Sequence, residues 1–176
     1  MAHWIRVLIV GVALIAASAG GPVLAAPYAA IVVDMRDGRV LHSRSADRRQ
    51  HPASLTKMMT LYLTFEAVKN GQVSLNTKTR ISRKASRMTG SRLRLRSGER
   101  VTIRDLIRAT AIKSANDAAM ALAEAIGGSE KAFAQMMTQK ARDLGMSSTT
   151  YKNPHGLTRA GHLTTARDQA LLARHL

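Results

Sequence analysis

The chain has 176 residues, enough for one ordinary domain and too few for two substantial ones. Hydrophobic residues make up 45%, which excludes wholesale disorder, while six aromatics leave a core to be built from Ala, Leu, Ile, Val and nine Met. The absence of cysteine excludes disulfides, thiolate catalysis and cysteine-ligated zinc, and the net charge of +16 points to polyanionic surroundings.

Residues Met1–Arg6 carry one arginine, and Val7–Ala17 (VLIVGVALIAA) is an uninterrupted apolar run. Small residues and Pro22 follow, then Val23-Leu24-Ala25-Ala26, the layout of a secretory signal peptide over 1–26. Eleven residues as a helix reach about 16 Å, well short of a hydrocarbon core of roughly 30 Å. The expectation is an exported protein, periplasmic or associated with the cell envelope. Chromosomal DNA is then no partner, and the aromatic platforms used to bind single strands are missing.

Ala29–Asp34 and Val40–Ser43 flank Asp37-Gly38, which predicts a β-hairpin. Pro52 stops any helix before it, and Ser54 is suited to open one. Apolar residues recur at Met58, Met59, Tyr62, Phe65 and Val68, predicting a largely buried helix that ends at Asn70-Gly71. Thr77–Ser97 reads as short strands and loops. Within it, Arg92-Leu93-Arg94-Leu95-Arg96 alternates with period two, as a half-buried strand does. The basic run Arg80–Arg104, opposed by Glu99 alone, is read first as a solvated face. It can also give weak contact with an anionic wall polymer or membrane surface. Helical patterns occupy Ile103–Ile112, Asp117–Ile126 and Glu130–Leu144, a Gly/Pro/Thr-rich loop covers Met146–Thr164, and a last helix opens near Thr165. Strands first and helices after make this an α+β chain.

Two short patterns carry chemistry. In Ser54-Leu55-Thr56-Lys57, positions i and i+3 share a helical face, so hydroxyl and amine can come within hydrogen-bond reach. Serine becomes a useful nucleophile only when a base takes its proton, and lysine is a base only when neutral. That requires lowering its pKa by roughly three units, which burial and neighbouring positive charge both favour. Ser114-Ala115-Asn116 sits in a break between two helices. A second serine can relay a proton, and an asparagine amide can donate to a substrate carbonyl and accept from its N–H. Capping of the helix that begins at Asp117 is the bland alternative for Asn116. Five of the six histidines, His42, His51, His155, His162 and His175, follow residue 26 and form no HExxH or tight cluster, so no metal and no cofactor are expected.

The blocks His51-Pro-Ala-Ser54-Leu-Thr-Lys57-Met-Met-Thr60, Ser114-Ala-Asn116-Asp-Ala-Ala119, Asn153-Pro-His-Gly156-Leu and His162-Leu-Thr-Thr-Ala-Arg-Asp168 together resemble the low-molecular-mass penicillin-binding proteins that are D-alanyl-D-alanine carboxypeptidases. The resemblance implies a β-lactamase/transpeptidase-like fold, a helical subdomain against an antiparallel sheet. It implies Ser54 as acylated nucleophile, Lys57 as proton acceptor, Ser114 as relay and Asn116 as the residue holding the substrate's amide. Peptidoglycan stem peptides would be substrates and β-lactams covalent inhibitors.

The family's third motif, Lys-Thr-Gly, lies on a strand after the last block, and this sequence contains none. Lys78-Thr79-Arg80 is the nearest string and precedes the second motif. The expectation is that 27–176 is the N-terminal part of a longer catalytic domain, its sheet incomplete and the chain inactive by itself. Removing one oxyanion donor alone costs about 100- to 1000-fold in rate. Two other functions fit the sequence less well: a DD-endopeptidase using the same nucleophile, and a non-enzymatic basic module on anionic wall polymer, which leaves the serine–lysine pairing to coincidence.

Overall fold

The computed structural model describes residues 28–176, so the signal-peptide reading of 1–26 lies outside the described residues. The chain opens with a hairpin, β1 (Ala30–Val33) and β2 (Val40–Arg44), antiparallel with Ala30 opposite Arg44 and a register shift between Val32 and Val33. Its turn is built by Asp34: the carbonyl accepts from Gly38 N at 2.8 Å and the carboxylate from Arg36 N at 2.9 Å. Gly38 takes φ +81°, and its missing side chain leaves room for the Arg174 guanidinium.

A single 3-10 turn, Ala53–Leu55, then leads into α1 (Thr56–Lys69). Next come β3 (Lys78–Arg80), the one-turn α2 (Arg83–Ser86) and β4 (Arg100–Thr102), with β3 and β4 pairing antiparallel in a second two-stranded sheet. Four helices complete the chain: α3 (Ile103–Ile112), α4 (Asn116–Gly127), α5 (Glu130–Asp143) and α6 (Ala166–His175). Side chains of Thr102, Ser129 and Thr165 cap α3, α5 and α6. Among the described residues no helix is long and apolar enough to cross a membrane.

Helix α4 is the centre of the molecule. Eight consecutive residues, Asn116–Ala123, are buried, and the helix feeds two cores. One contains Met59, Leu63, Phe133, Met137, Tyr151 and Leu172, and joins α1, α4, α5 and α6. The other contains Ile81, Met88, Ile103, Leu106, Met120 and Leu122, and joins α4 to α2, α3 and the second sheet. A helix buried on all sides needs small side chains, which accounts for the alanines of α4. With few aromatics available, buried methionines fill the irregular gaps.

Two expectations need correction. Residues 92–96 are not a strand. Arg94 takes φ +64°, which breaks the pleat, and the segment is an extended loop without a partner strand. The buried face of α1 is also only in part the apolar stripe read from the sequence: Met59 is buried, and Met58, Tyr62 and Val68 pack half-buried against the cores. Phe65 is 43% exposed, whereas Thr56, Lys57, Thr60 and Thr64 are buried. Those polar side chains are buried because hydrogen bonds await them, as the site makes plain.

Candidate active site

Ser54 lies in the middle of the 3-10 turn, exposed, and makes no cap to α1. The α-helix therefore opens at Thr56, just past the serine, and the serine hydroxyl is not spent on a backbone N–H. The turn is entered through Ala53 at φ +45°, a left-handed conformation costly for alanine. Gly156 makes room for it. A Cβ there would stand 1.9 Å from the Ala53 carbonyl oxygen, and φ at Gly156 is +90°. Only glycine fits against the backbone that presents Ser54.

Loop 153–162 grips the start of α1 along its length. Thr60 Oγ1 donates to the Pro154 carbonyl at 2.7 Å, and Lys57 Nζ donates to the His155 carbonyl at 2.6 Å. His162 accepts from Lys152 N at Nδ1, so its Nε2–H donates to Thr56 Oγ1 at 2.8 Å. His51 Nδ1 lies 2.9 Å from the His162 carbonyl oxygen. Asn153 braces the loop from inside, its Oδ1 accepting from His155 N and Gly156 N while its Nδ2 donates to the Leu157 carbonyl. His162 thus ties the loop to α1, and His155 Nδ1 accepts from Leu157 N inside it.

Lys57 is 4% exposed, and burial lowers its ammonium to a pKa of about 8. About a tenth of the amine is then neutral at pH 7, with a lone pair to accept a proton. Burial also lowers His162 to about 4, helped by the nearby His155, His51 and Lys152. The His155 and His162 imidazoles, both lowered to about 4 by burial, carry no charge at neutral pH.

The second candidate pair stands at the α3–α4 corner. Ser114 holds φ +54°, again left-handed, and turns the chain so that α4 can begin at Asn116. A loop running from Met88 to Leu95 wraps this corner. Asn116 N donates to the Ser91 carbonyl and Asn116 Nδ2 to the Thr89 carbonyl, both at 2.7 Å. Ser91 Oγ donates to the Lys113 carbonyl at 2.6 Å. Asp117, 1% exposed, accepts from Leu93 N at 3.0 Å and Leu95 N at 3.1 Å. Sequence reasoning missed this anchor; Asp117 was read only as a helix start.

Helix α1, which carries Lys57, packs against both α3 and α4, the helices on either side of Ser114. Among the described residues no direct hydrogen bond joins Ser54, Lys57 and Ser114. What the fold supplies is a presented hydroxyl, a buried amine with a lowered pKa, a strained second serine and a fixed carboxamide. This is the inventory of an acyl-transfer site. Lys78-Thr79-Arg80 lies in β3, paired with β4, in the sheet separate from β1–β2.

Comparison with known proteins gives one answer. A family model described as D-alanyl-D-alanine carboxypeptidase, peptidase S11, matches residues 16–176. The D-alanyl-D-alanine carboxypeptidase DacF of Bacillus subtilis (strain 168) is 41% identical over 147 residues, covering 84% of this chain and 38% of that protein. Among solved structures, the D-alanyl-D-alanine carboxypeptidase DacD from Francisella tularensis superposes with a TM-score of 0.82 at 38% identity, covering 89% of this chain and 40% of that one. Penicillin-binding protein D2 from Listeria monocytogenes, solved in its ampicillin-bound form, superposes with a TM-score of 0.75 at 33% identity, covering 88% and 63%. The fold is that of the penicillin-binding proteins, and the chain spans well under half the length of the curated relatives it matches.

Proposed function

The chain belongs to the D-alanyl-D-alanine carboxypeptidase family, and we propose that the whole protein removes the terminal D-alanine from peptidoglycan stem peptides through an acyl-enzyme on Ser54. Ser54 Oγ attacks the carbonyl of the penultimate D-alanine while its proton passes to the neutral Lys57 amine. Ser114 relays a proton to the leaving D-alanine nitrogen, and water later releases the shortened peptide. Asn116 engages the Thr89 carbonyl through Nδ2, which leaves Oδ1 to accept the substrate's amide N–H. A β-lactam enters by the same attack: ring opening leaves the acyl group on Ser54. Because the substrate is cell-wall peptide, the protein works outside the cytoplasm, in the periplasm or cell envelope.

The observation that carries this reading is the state of Lys57. An exposed lysine would be protonated and useless as a base; this one is buried, fixed by a single carbonyl and lowered to about 8. The test is mass spectrometry of the full-length protein after exposure to penicillin. The adduct should map to the peptide containing Ser54 and vanish in Ser54→Ala. An adduct elsewhere, or none, would sink the assignment, and release of D-alanine from a pentapeptide against cleavage of a cross-linked muropeptide separates carboxypeptidase from endopeptidase.

A further inference from the structure

Glu130, the first residue of α5, has a side chain only 13% exposed. An acid in the first turn of a helix usually needs nothing beyond the helix dipole and lies in water. This one reaches two side chains from two other elements. Its Oε2 lies 2.5 Å from Nζ of Lys84 on α2, and its Oε1 lies 3.4 Å from Nε2 of His155. The His155 tautomer is fixed from the other side of the ring, because Nδ1 accepts from Leu157 N at 3.2 Å. Nε2 therefore carries the hydrogen and points it at the carboxylate. Burial holds His155 neutral, against the raising influence of Glu130. The charge pair is thus Glu130 with Lys84, and the imidazole is a neutral donor between the acid and the loop.

We propose that Glu130 is a positioning residue: its carboxylate holds the His155 ring, so that the His155 carbonyl meets Lys57 Nζ, and Lys84 neutralises the acid that does so. The inference rests on the reading of Ser54 and Lys57 given above. Each contact in the chain runs between different elements, from α2 to α5 to the loop to α1, so no local preference explains the alignment. The charged groups that act on the His155 ring are Glu130 of α5, Lys57 of α1 and Lys84 of α2, and burial is what lowers Lys57 itself. His162 bonds to the neighbouring Thr56, with His51 and Lys152 behind it.

Two substitutions of opposite charge effect separate positioning from mere packing. The full-length protein is titrated for its rate of acylation by a fluorescent penicillin between pH 6 and 10. Glu130→Gln leaves Lys84 uncompensated, which disfavours the Lys57 ammonium. The acid limb should move down by roughly half a pH unit, and the plateau should fall about tenfold as the His155 carbonyl loosens. Lys84→Met leaves the carboxylate uncompensated and should move the limb up by a similar amount, roughly half a unit. The double variant should return the limb to its starting position while the plateau stays low. Limbs that stay at the wild-type position in both single variants overturn the inference. So does Glu130→Gln with a wild-type plateau. Should Glu130→Gln fail to fold, Lys84→Met, altered at a largely exposed side chain, decides by the direction of its limb. A wild-type protein without an adduct at Ser54 overturns instead the function on which the inference rests.

Discussion

In the proposed mechanism, Lys57 concentrates the chemistry of the site in one titration. With its pKa lowered by burial to about 8, the base is mostly protonated at pH 6 and mostly free at pH 9. Acylation of the full-length protein should therefore rise with pH, reach half its limit near pH 8 and level off above about 9. Lys57→Arg keeps the charge but supplies a guanidinium that does not deprotonate in proteins. Acylation should fall by at least about 100-fold and the rise near pH 8 should disappear. A near wild-type rate in that variant would remove Lys57 from the role. Ser114 makes the opposite bargain, between stability and activity. Its left-handed φ of +54° costs a serine something that a glycine does not lose. Ser114→Gly should raise thermal stability by about 0.5–1 kcal/mol while the acylation rate collapses. A variant that is more stable and equally active would show that the hydroxyl relays nothing.

At the scale of elements, the loop over the α3–α4 corner depends on one acid. Asp117 accepts the backbone of Leu93 and Leu95, so the path from Thr89 to Leu95, which holds Asn116, is tied to the helix that Asn116 begins. Asp117→Ala should cost about 2–3 kcal/mol in unfolding free energy. The amides of Leu93 and Leu95 should lose their protection from hydrogen exchange, while those in the middle of α4 keep theirs. Protection unchanged at 93 and 95 would place the anchor elsewhere. The same loop marks where sequence reading reached its limit. Hairpin β1–β2, α1 and α3 to α6 were legible because turn residues, caps and apolar spacing are local signals. The alternation at 92–96 is local too, but a left-handed Arg94 and carboxylate partners 22 and 24 residues away are not written in it. The polar face of α1 was unreadable for a similar reason. Threonines 56 and 60 look like solvent positions until the loop that bonds their hydroxyls is folded over them, and Thr64 turns its hydroxyl back to the Thr60 carbonyl of its own helix. Ser54, Lys57, Ser114 and Asn116 could be picked out by type and spacing; Gly156, Asp117 and Glu130 act through contacts that spacing does not encode.

The molecule as a whole carries two buried imidazoles, and they set its response to acid. His155 and His162 have pKa values lowered by burial from about 6.5 to about 4. The unfolded chain takes up these protons first, so stability is complete above pH 6.5 and declines as the pH falls towards 4. Each histidine should account for roughly 2 kcal/mol between pH 6.5 and 5, read as the shift in unfolding free energy from urea titrations. His162→Gln should flatten that decline, and a wild-type protein equally stable at pH 5 and 7 would contradict it. The clamp on α1 has a further meaning in time. The partners that set it lie 94 to 111 residues apart along the chain: Thr60 with Pro154, Lys57 with His155, Thr56 with His162, His51 with His162. At roughly 5–20 residues per second, synthesis runs for about 5–20 seconds between making the serine and making what holds it. Closing loops of that length belongs to the late side of a folding barrier. Changes at Thr56 or Thr60 should then speed unfolding and hardly slow refolding, so the turn that presents Ser54 is among the first parts made and the last to be fixed in place.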